Sequence, residues 1–490
     1  MAPQFLCETF INASQFLYLY MRTLCMNIEI LETDDTQHED LLALRKKNGF
    51  YYHRRKAGKQ ITIPEMYAIY LKTRKNKRRS EDSVEFEIEL EKLLTKLIEN
   101  INKRIYDPNG NYTFIATEPT RNGCREVFAA ELGTRIQHHY IDYYMRDLME
   151  QELTPFTFNN RKGKGVLKAV ETVKEIIYKE SNGYTENCWI IKWDLKAFFM
   201  CILHDIIDKK IQKLIDDKYH GPEKDILKWM IHECIFAVPQ NHCYKKSPDW
   251  KWDTIEPHKS LFNQPDGQGA AIGFLVWQMF INYYHNDIDK WITEELGLSF
   301  VRFVDDMLII TKRKEFVLSY VLPELRIRYK ELNIVMQEKK FYCQHYSKGV
   351  KFCGVTIKYD RLYPNSRVIH NMNRKVNIFN NIYYNKERHV LDFTNMLNSY
   401  FGVMKYMNAM NIILQTIDRI DKTWWKYMQW NTDRLIIEPK PHLDYLHQLD
   451  AVYDLDLFND LPWKKTKRRH KHKKYYPYIK PKYKKIKKNH

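Results

Sequence analysis

Leu298-Ser299-Phe300-Val301-Arg302-Phe303-Val304-Asp305-Asp306-Met307-Leu308-Ile309-Ile310-Thr311 decides how this chain is read. Two short runs rich in β-branched, aromatic and aliphatic residues, 298–303 and 307–311, flank an aspartate pair. That is the pattern of two strands joined by a turn. Adjacent carboxylates repel each other, so burying both without a cation is costly. Taken alone, such a pair reads as a solvated turn. A third aspartate in a like setting changes the reading. In Trp189-Ile190-Ile191-Lys192-Trp193-Asp194-Leu195-Lys196-Ala197-Phe198-Phe199 a β-rich run again ends on an aspartate. Only tertiary folding brings Asp194 to Asp305 and Asp306. Three carboxylates around two divalent cations about 3.5–4 Å apart make a clamp for in-line phosphoryl transfer. Mg²⁺ suits such a site, because it takes oxygen ligands and leaves room for substrate phosphates.

An aspartate in Asp-Leu-x-x-Phe-Phe, then a Gly-containing segment, then aromatic-x-Asp-Asp is an order of motifs that resembles reverse transcriptases. Further motifs extend the resemblance over roughly residues 62–410. Thr120-Arg121-Asn122-Gly123-Cys124-Arg125-Glu126-Val127-Phe128 and Phe156-Thr157-Phe158-Asn159-Asn160-Arg161-Lys162-Gly163-Lys164-Gly165 look like the two fingers motifs of bacterial enzymes. The chemistry needs fixed cations there, because charge develops on the leaving pyrophosphate. The resemblance implies Arg125 and Arg161 on the nucleotide triphosphate, and Lys162 and Lys164 on phosphate or template. It implies a metal contact through the Leu195 backbone carbonyl, and Phe199 as the aromatic gate that selects deoxynucleotides. Gly267-Gln268-Gly269-Ala270-Ala271-Ile272-Gly273-Phe274-Leu275-Val276-Trp277-Gln278 is similar to the third palm motif, with Gly273 and Gln278 near the nucleotide. Here Trp277 replaces the usual serine and adds bulk where template is expected, and Phe303 replaces a usual tyrosine. In Asn333-Ile334-Val335-Met336-Gln337-Glu338-Lys339-Lys340 the resemblance gives Lys339 the role of general acid. Phe352, Cys353 and Gly354 fall in a hairpin that would grip the primer end, and Asn398-Ser399-Tyr400-Phe401-Gly402-Val403-Met404 matches a thumb segment. The nearest types are the defence-associated (unknown-group) enzymes and those of diversity-generating retroelements.

The implied fold is α+β, a right-hand polymerase with fingers, a palm built on an antiparallel sheet, and a helical thumb. The expected divisions are a helical N-terminal extension (1–62), fingers (63–180), palm (181–345), a primer-grip hairpin (346–365), thumb (366–462) and a basic, disordered tail (463–490). The implied activity is RNA-directed DNA synthesis with two Mg²⁺ ions, or Mn²⁺ in their place. The implied partners are dNTPs, a structured non-coding RNA template and a DNA product, with a second copy or an accessory protein as further candidates. Two other classes use the same residues: a non-catalytic RNA-binding scaffold and a metal nuclease.

Composition bounds these readings. The chain has 490 residues, 44% of them hydrophobic, enough to bury a sizeable core. Its formal net charge is +18, and 14 of its Lys and Arg lie in 464–490, where there is no acid. That block, interleaved with Tyr475, Tyr476, Tyr478 and Tyr483, suits a polyanion. Nine scattered cysteines without a Cys-x-x-Cys pair argue against structural zinc and disulfides, and fit a reducing cytoplasm. The apolar opening, 1–26, lacks a basic lead and is expected to be a packing helix, followed by another over 28–44. No run is long enough to span a membrane. His138 and His139, adjacent on an expected helix, diverge too far to share one ion.

Overall fold

Thr62 and Glu65 close a capping box on the first described helix, α1 (Ile63–Arg74). The computed structural model describes residues 59–75, 81–107, 110–117, 124–384 and 386–440. The helices expected within 1–58, Thr120–Gly123 and the basic tail lie outside those residues. Glu65 is fully buried, and a buried carboxylate needs partners. Lys59 supplies one at 2.6 Å and carries the link on to Glu223 at 2.7 Å; the Tyr140 and Tyr144 hydroxyls donate to Glu65 as well. α2 (Glu81–Ile88) and α3 (Leu90–Asn102) follow, and α3 buries Leu94, Ile98 and Ile101 at helical spacing.

β1 (Asn111–Thr117) and β2 (Cys124–Ala129) pair antiparallel, then α4 (Leu132–Glu152) and α5 (Val166–Glu180) lead to β3 (Trp189–Asp194). α6 (His204–Lys218) and α7 (Lys224–Phe236) precede β4 (Cys243–Lys245), which adds parallel to β1. The fingers sheet is thus ordered β2-β1-β4. α8 (Leu275–Tyr284) comes next, then β5 (Ser299–Phe303), β6 (Asp306–Thr311), α9 (Leu322–Glu331) and β7 (Tyr342–His345). These strands and β3 form the palm sheet β5-β6-β3-β7, antiparallel throughout. One face of it is the core: Trp193 stacks on Phe300 at 6.1 Å, and Met307 and Ile309 are fully buried. Each such side chain contributes about 1.5–3 kcal/mol by leaving water.

β8 (Val350–Phe352), β9 (Val355–Ile357) and β10 (Leu362–Pro364) form a separate small sheet. The β8–β9 turn is Cys353-Gly354, with φ of +48° and +80°. Two positive φ values are what a tight hairpin matching strand twist requires. β10 pairs antiparallel with β9.

The described residues divide into two units, 59–371 and 372–440. α10 (Ser366–Asn380) leads into the second, which holds α11 (Lys386–Met404), α12 (Met410–Asp418), β11 (Met428–Asn431) and β12 (Ile436–Pro439). Its core is aromatic: Phe379 stacks on Phe393 at 4.5 Å and Trp424 is fully buried beside both. Within 366–440, expected as a helical thumb, the β11–β12 hairpin is an addition to the helices. Asn398 holds it, its amide giving to and taking from the Ile437 backbone at 2.8 Å each way. The aromatic run before it reads equally well as helix, and only alternation across Met428–Ile437 distinguishes strand.

Candidate active site

Strand register assembles the acidic site. Asp194, the last residue of β3, is the cross-strand partner of Asp306, the first of β6, and Phe303 pairs Asp306 from the other side. Directly opposed residues have Cβ atoms about 4.5–5.5 Å apart, and like charges there are destabilising. The turn between β5 and β6 is Val304-Asp305. Val304 has φ +59°, a conformation that a β-branched side chain rarely takes. All three aspartates are half-buried.

Two ammonium groups answer that repulsion. Lys192 Nζ lies 2.6 Å from Asp306 Oδ1, and Lys340 donates to Asp194 Oδ2. Lys192 also donates to the Lys351 carbonyl and sits 5.6 Å from the Phe352 ring. Opposite Lys192 on β7, burial and then the charge of Asp306 push the Tyr342 phenol up to about 12. Among the described residues no three His, Cys, Asp or Glu side chains stand ready as a metal cage; two of the carboxylates are turned to lysines.

The donor set nonetheless fits a hard divalent cation. Asp194 Oδ1 is buried without a hydrogen-bond partner. Leu195 faces Met336 in an antiparallel bridge whose hydrogen bonds run from Gln337 N to Asp194 O and from Lys196 N to Val335 O, 2.8 Å each. The bridge therefore leaves the Leu195 carbonyl out of its own pairing. Asp194, Asp305, Asp306 and that carbonyl are all oxygen donors, as Mg²⁺ prefers.

The Val304-Asp305 turn is stitched to the Phe156–Gly165 loop, which sequence reasoning did not foresee. Arg302 exchanges backbone hydrogen bonds with Phe156 and Phe158, 3.0 Å each. Its guanidinium, fully buried, pairs with buried Asp289 at 2.6 Å and reaches Thr157 and Asn282. Asn159 Oδ1 then accepts the Val304 N–H at 3.0 Å. Buried charge with this many satisfied donors fixes one geometry. The period-2 pattern could have flagged Lys192, two residues before Asp194 on the same face. Nothing local marks Asn159.

The other expected residues distribute as follows. Arg125 stands on β2 opposite Ala116. Arg161 is a strut: it donates to Glu150 Oε2 (2.6 Å) and to the carbonyls of Thr154, Thr157 and Glu150. Its expected role on triphosphate is corrected, since four bonds already hold the guanidinium, two to Glu150 on α4 and two to the Thr154 and Thr157 carbonyls. Lys162 is exposed, whereas Lys164 donates to the Pro155 carbonyl and lies 4.9 Å from the Phe158 ring centroid. Gly165, with φ +111°, opens α5 in a conformation open to glycine alone. Phe198 is core, while Phe199 is half-buried and its carbonyl accepts from Ala270 N. Gly273 has φ +113°, and a Cβ there would meet the Phe128 carbonyl at 2.2 Å. It is needed for this close approach, while Gln278 is half-buried on α8.

Trp277 is 3% exposed, packed against His204 and Phe280. The expected contact with template is corrected, because the indole is core. Phe352 is likewise 1% exposed, so of the primer-grip trio only Cys353 and Gly354 lie at the hairpin tip. Lys339 is exposed; its neighbour Lys340 is the lysine on Asp194.

Residues 134–357, which include all three aspartates, match the family model described as reverse transcriptase (RNA-dependent DNA polymerase). Among solved structures, apo telomerase from Candida tropicalis, truncated from its C-terminal domain, is similar at a TM-score of 0.38 and 14% identity. The match covers 53% of this chain and 55% of that one, so the chain spans about half the length of that relative. No curated protein matches the chain. The match to a reverse transcriptase family model thus falls on the α+β region that holds the antiparallel sheet and all three aspartates.

Proposed function

We propose that the chain copies RNA into DNA at Asp194, Asp305 and Asp306. The observation that carries this reading is the pairing of Asp194 with Asp306 at the mouth of the Val304-Asp305 turn. These three side chains and the Leu195 carbonyl would hold two Mg²⁺ ions. Bound there, the ions supply Lewis-acid stabilisation of the attacking and leaving oxygens. The chain's own part is positioning. The β3–β6 register fixes two carboxylates, Asn159 and Arg302 hold the turn that carries the third, and half-burial lowers the local dielectric. Lys340, close to Asp194, is better placed than Lys339 to give a proton to the leaving pyrophosphate. Arg125 and Lys162 are the proposed cations on the triphosphate, and Phe199 is the candidate gate.

We further propose a bacterial or phage enzyme that works in the cytoplasm with a dedicated structured non-coding RNA in antiphage defence. The departure at Phe303 and the basic tail support this setting. A diversity-generating retroelement is the alternative setting. Sequencing the nucleic acid that copurifies with the protein separates the two: a product matching a variable gene favours diversification. For the activity itself, incorporation of dNTPs on a primed RNA template is compared between wild type and the Asp305→Ala/Asp306→Ala double variant. Wild type extends the primer and the variant does not. Equal behaviour would leave an RNA-binding scaffold, and degradation of labelled RNA in Mg²⁺ without dNTPs would indicate a nuclease.

A further inference from the structure

The face of β3 that carries Asp194 carries Lys192 as well, because side chains alternate along a strand. The register sets Lys192 across from Leu308 of β6 and Tyr342 of β7. Its ammonium is held from several sides. Asp306 Oδ1 lies at 2.6 Å, the Lys351 carbonyl accepts at 2.5 Å, and the Phe352 ring centroid is 5.6 Å away. The Tyr342 phenol closes the surround, since it meets both Asp306 and the Lys351 backbone. One ammonium thus ties a carboxylate of the palm sheet to β8, a strand of a different sheet.

Asp306 Oδ1 cannot serve both this ammonium and a divalent cation. A cation on that oxygen displaces Lys192, and the two lysines of the site then fare differently. The Lys340 side chain is 59% exposed and can turn to water, whereas that of Lys192 is 13% exposed. The Lys351 carbonyl and the Phe352 ring keep the Lys192 ammonium where it is. An ammonium has N–H donors to spare once one carbonyl is served. Largely out of water and beside a divalent cation, those donors need an anion, because like charges repel and an unpaired buried charge is costly. The anion that nucleic acid brings is a backbone phosphate.

We propose that Lys192 is an exchange latch. It pairs with Asp306 until a divalent cation takes that carboxylate, and then turns to a backbone phosphate of the nucleic-acid strand lying beside β8. Cation and nucleic acid therefore bind with positive coupling, each tightening the other by the same factor. Lys192 is a positioning residue in this scheme and touches no reacting atom. The inference rests on the reading that Asp194, Asp305 and Asp306 take cations, and adds to it a device that loads the site fully only when nucleic acid is seated.

The test uses the full chain without dNTPs, so that no turnover enters. Mn²⁺ is titrated with and without a primed RNA template, and the unbound ion is read by electron paramagnetic resonance. Asp305→Ala/Asp306→Ala measures what binds elsewhere on protein and duplex. In wild type the primed template tightens Mn²⁺ at the site by at least about fivefold. Lys192→Met binds Mn²⁺ more tightly than wild type without nucleic acid, and the template then adds little. Lys192→Arg keeps a cation beside β8 and keeps the coupling. Anisotropy of the labelled template with and without Mn²⁺ gives the reciprocal factor, which a merely structural lysine would not change. The wild-type coupling persisting in folded Lys192→Met overturns the proposal and leaves the polymerase reading standing. Mn²⁺ binding that the double alanine variant does not reduce overturns both.

Discussion

Replacing Asn159 with alanine tests how the catalytic turn is held. Asn159 is 1% exposed, and its Oδ1 is the side-chain acceptor for the Val304 N–H. Its backbone carbonyl meanwhile accepts from Asn282 Nδ2 at 2.9 Å, so the loop itself stays anchored in the variant. Orphaning a buried donor costs about 1–3 kcal/mol. The left-handed valine stores strain of about 1–3 kcal/mol, which persists only while its surroundings enforce it. Both terms favour relaxation of the turn, and the next residue is Asp305. A reacting group displaced by about 1 Å costs about 10²-fold in rate. The expected result is therefore a roughly 10²-fold slower single-turnover incorporation, with only about 1–3 kcal/mol lost from global stability in denaturant unfolding. Asn159→Asp keeps an acceptor and removes Nδ2, which has no partner. It restores most of the rate, less whatever its added charge costs beside the aspartates. A wild-type rate in Asn159→Ala, or no recovery in Asn159→Asp, would refute this role.

Four other outcomes follow from the same geometry. Arg302→Met leaves Asp289 buried without its cation and should cost about 3–5 kcal/mol in chemical denaturation, while Arg302→Met/Asp289→Leu should cost much less. Gly273→Ala places a Cβ 2.2 Å from the Phe128 carbonyl at φ +113°, and a loss of at least about 1–3 kcal/mol is expected, again by denaturation. Lys192→Met removes the ammonium that competes for Asp306, so half-saturating Mg²⁺ in the incorporation assay should fall by up to about fivefold. Burial, and then His139, hold the His138 imidazole down to about 3. A depressed folded value means stability that is present above pH 6.5 and lost as pH falls towards 3. His138→Leu should flatten that decline by about 1.4 kcal/mol per pH unit, read from denaturation between pH 6.5 and 5.

The strands bearing the aspartates were legible because short β-branched runs end on acids, a local signal. That Asp194 and Asp306 become cross-strand partners was not, since register between strands so far apart is set by tertiary packing. The resemblance to reverse transcriptases supplied that step. It also misled at Trp277 and Arg161. A bulky ring on an apolar helix face packs inward, and an arginine in a loop of carbonyls satisfies those carbonyls first. Lys340 differs from the expected Lys339 by one position, and only the direction of the Glu338–Lys340 turn decides which lysine reaches Asp194. The buried Arg302–Asp289–Thr157–Asn282 network joins the 282–302 stretch to Thr157, far off in the chain, so no short window of sequence contains it. In the second unit, aromatic density around Trp424 and Trp430 concealed a hairpin that Asn398 reveals only once folded.

Replacing Mg²⁺ with Fe²⁺ and adding ascorbate makes a bound ion cut the nearby backbone, which locates its ligands without any need for turnover. Cleavage is expected at two separate places, around Asp194 and around Asp305-Asp306, both suppressed together by excess Mg²⁺. Cuts at one place alone, or at neither, would contradict a cation site shared by the ends of β3 and β6.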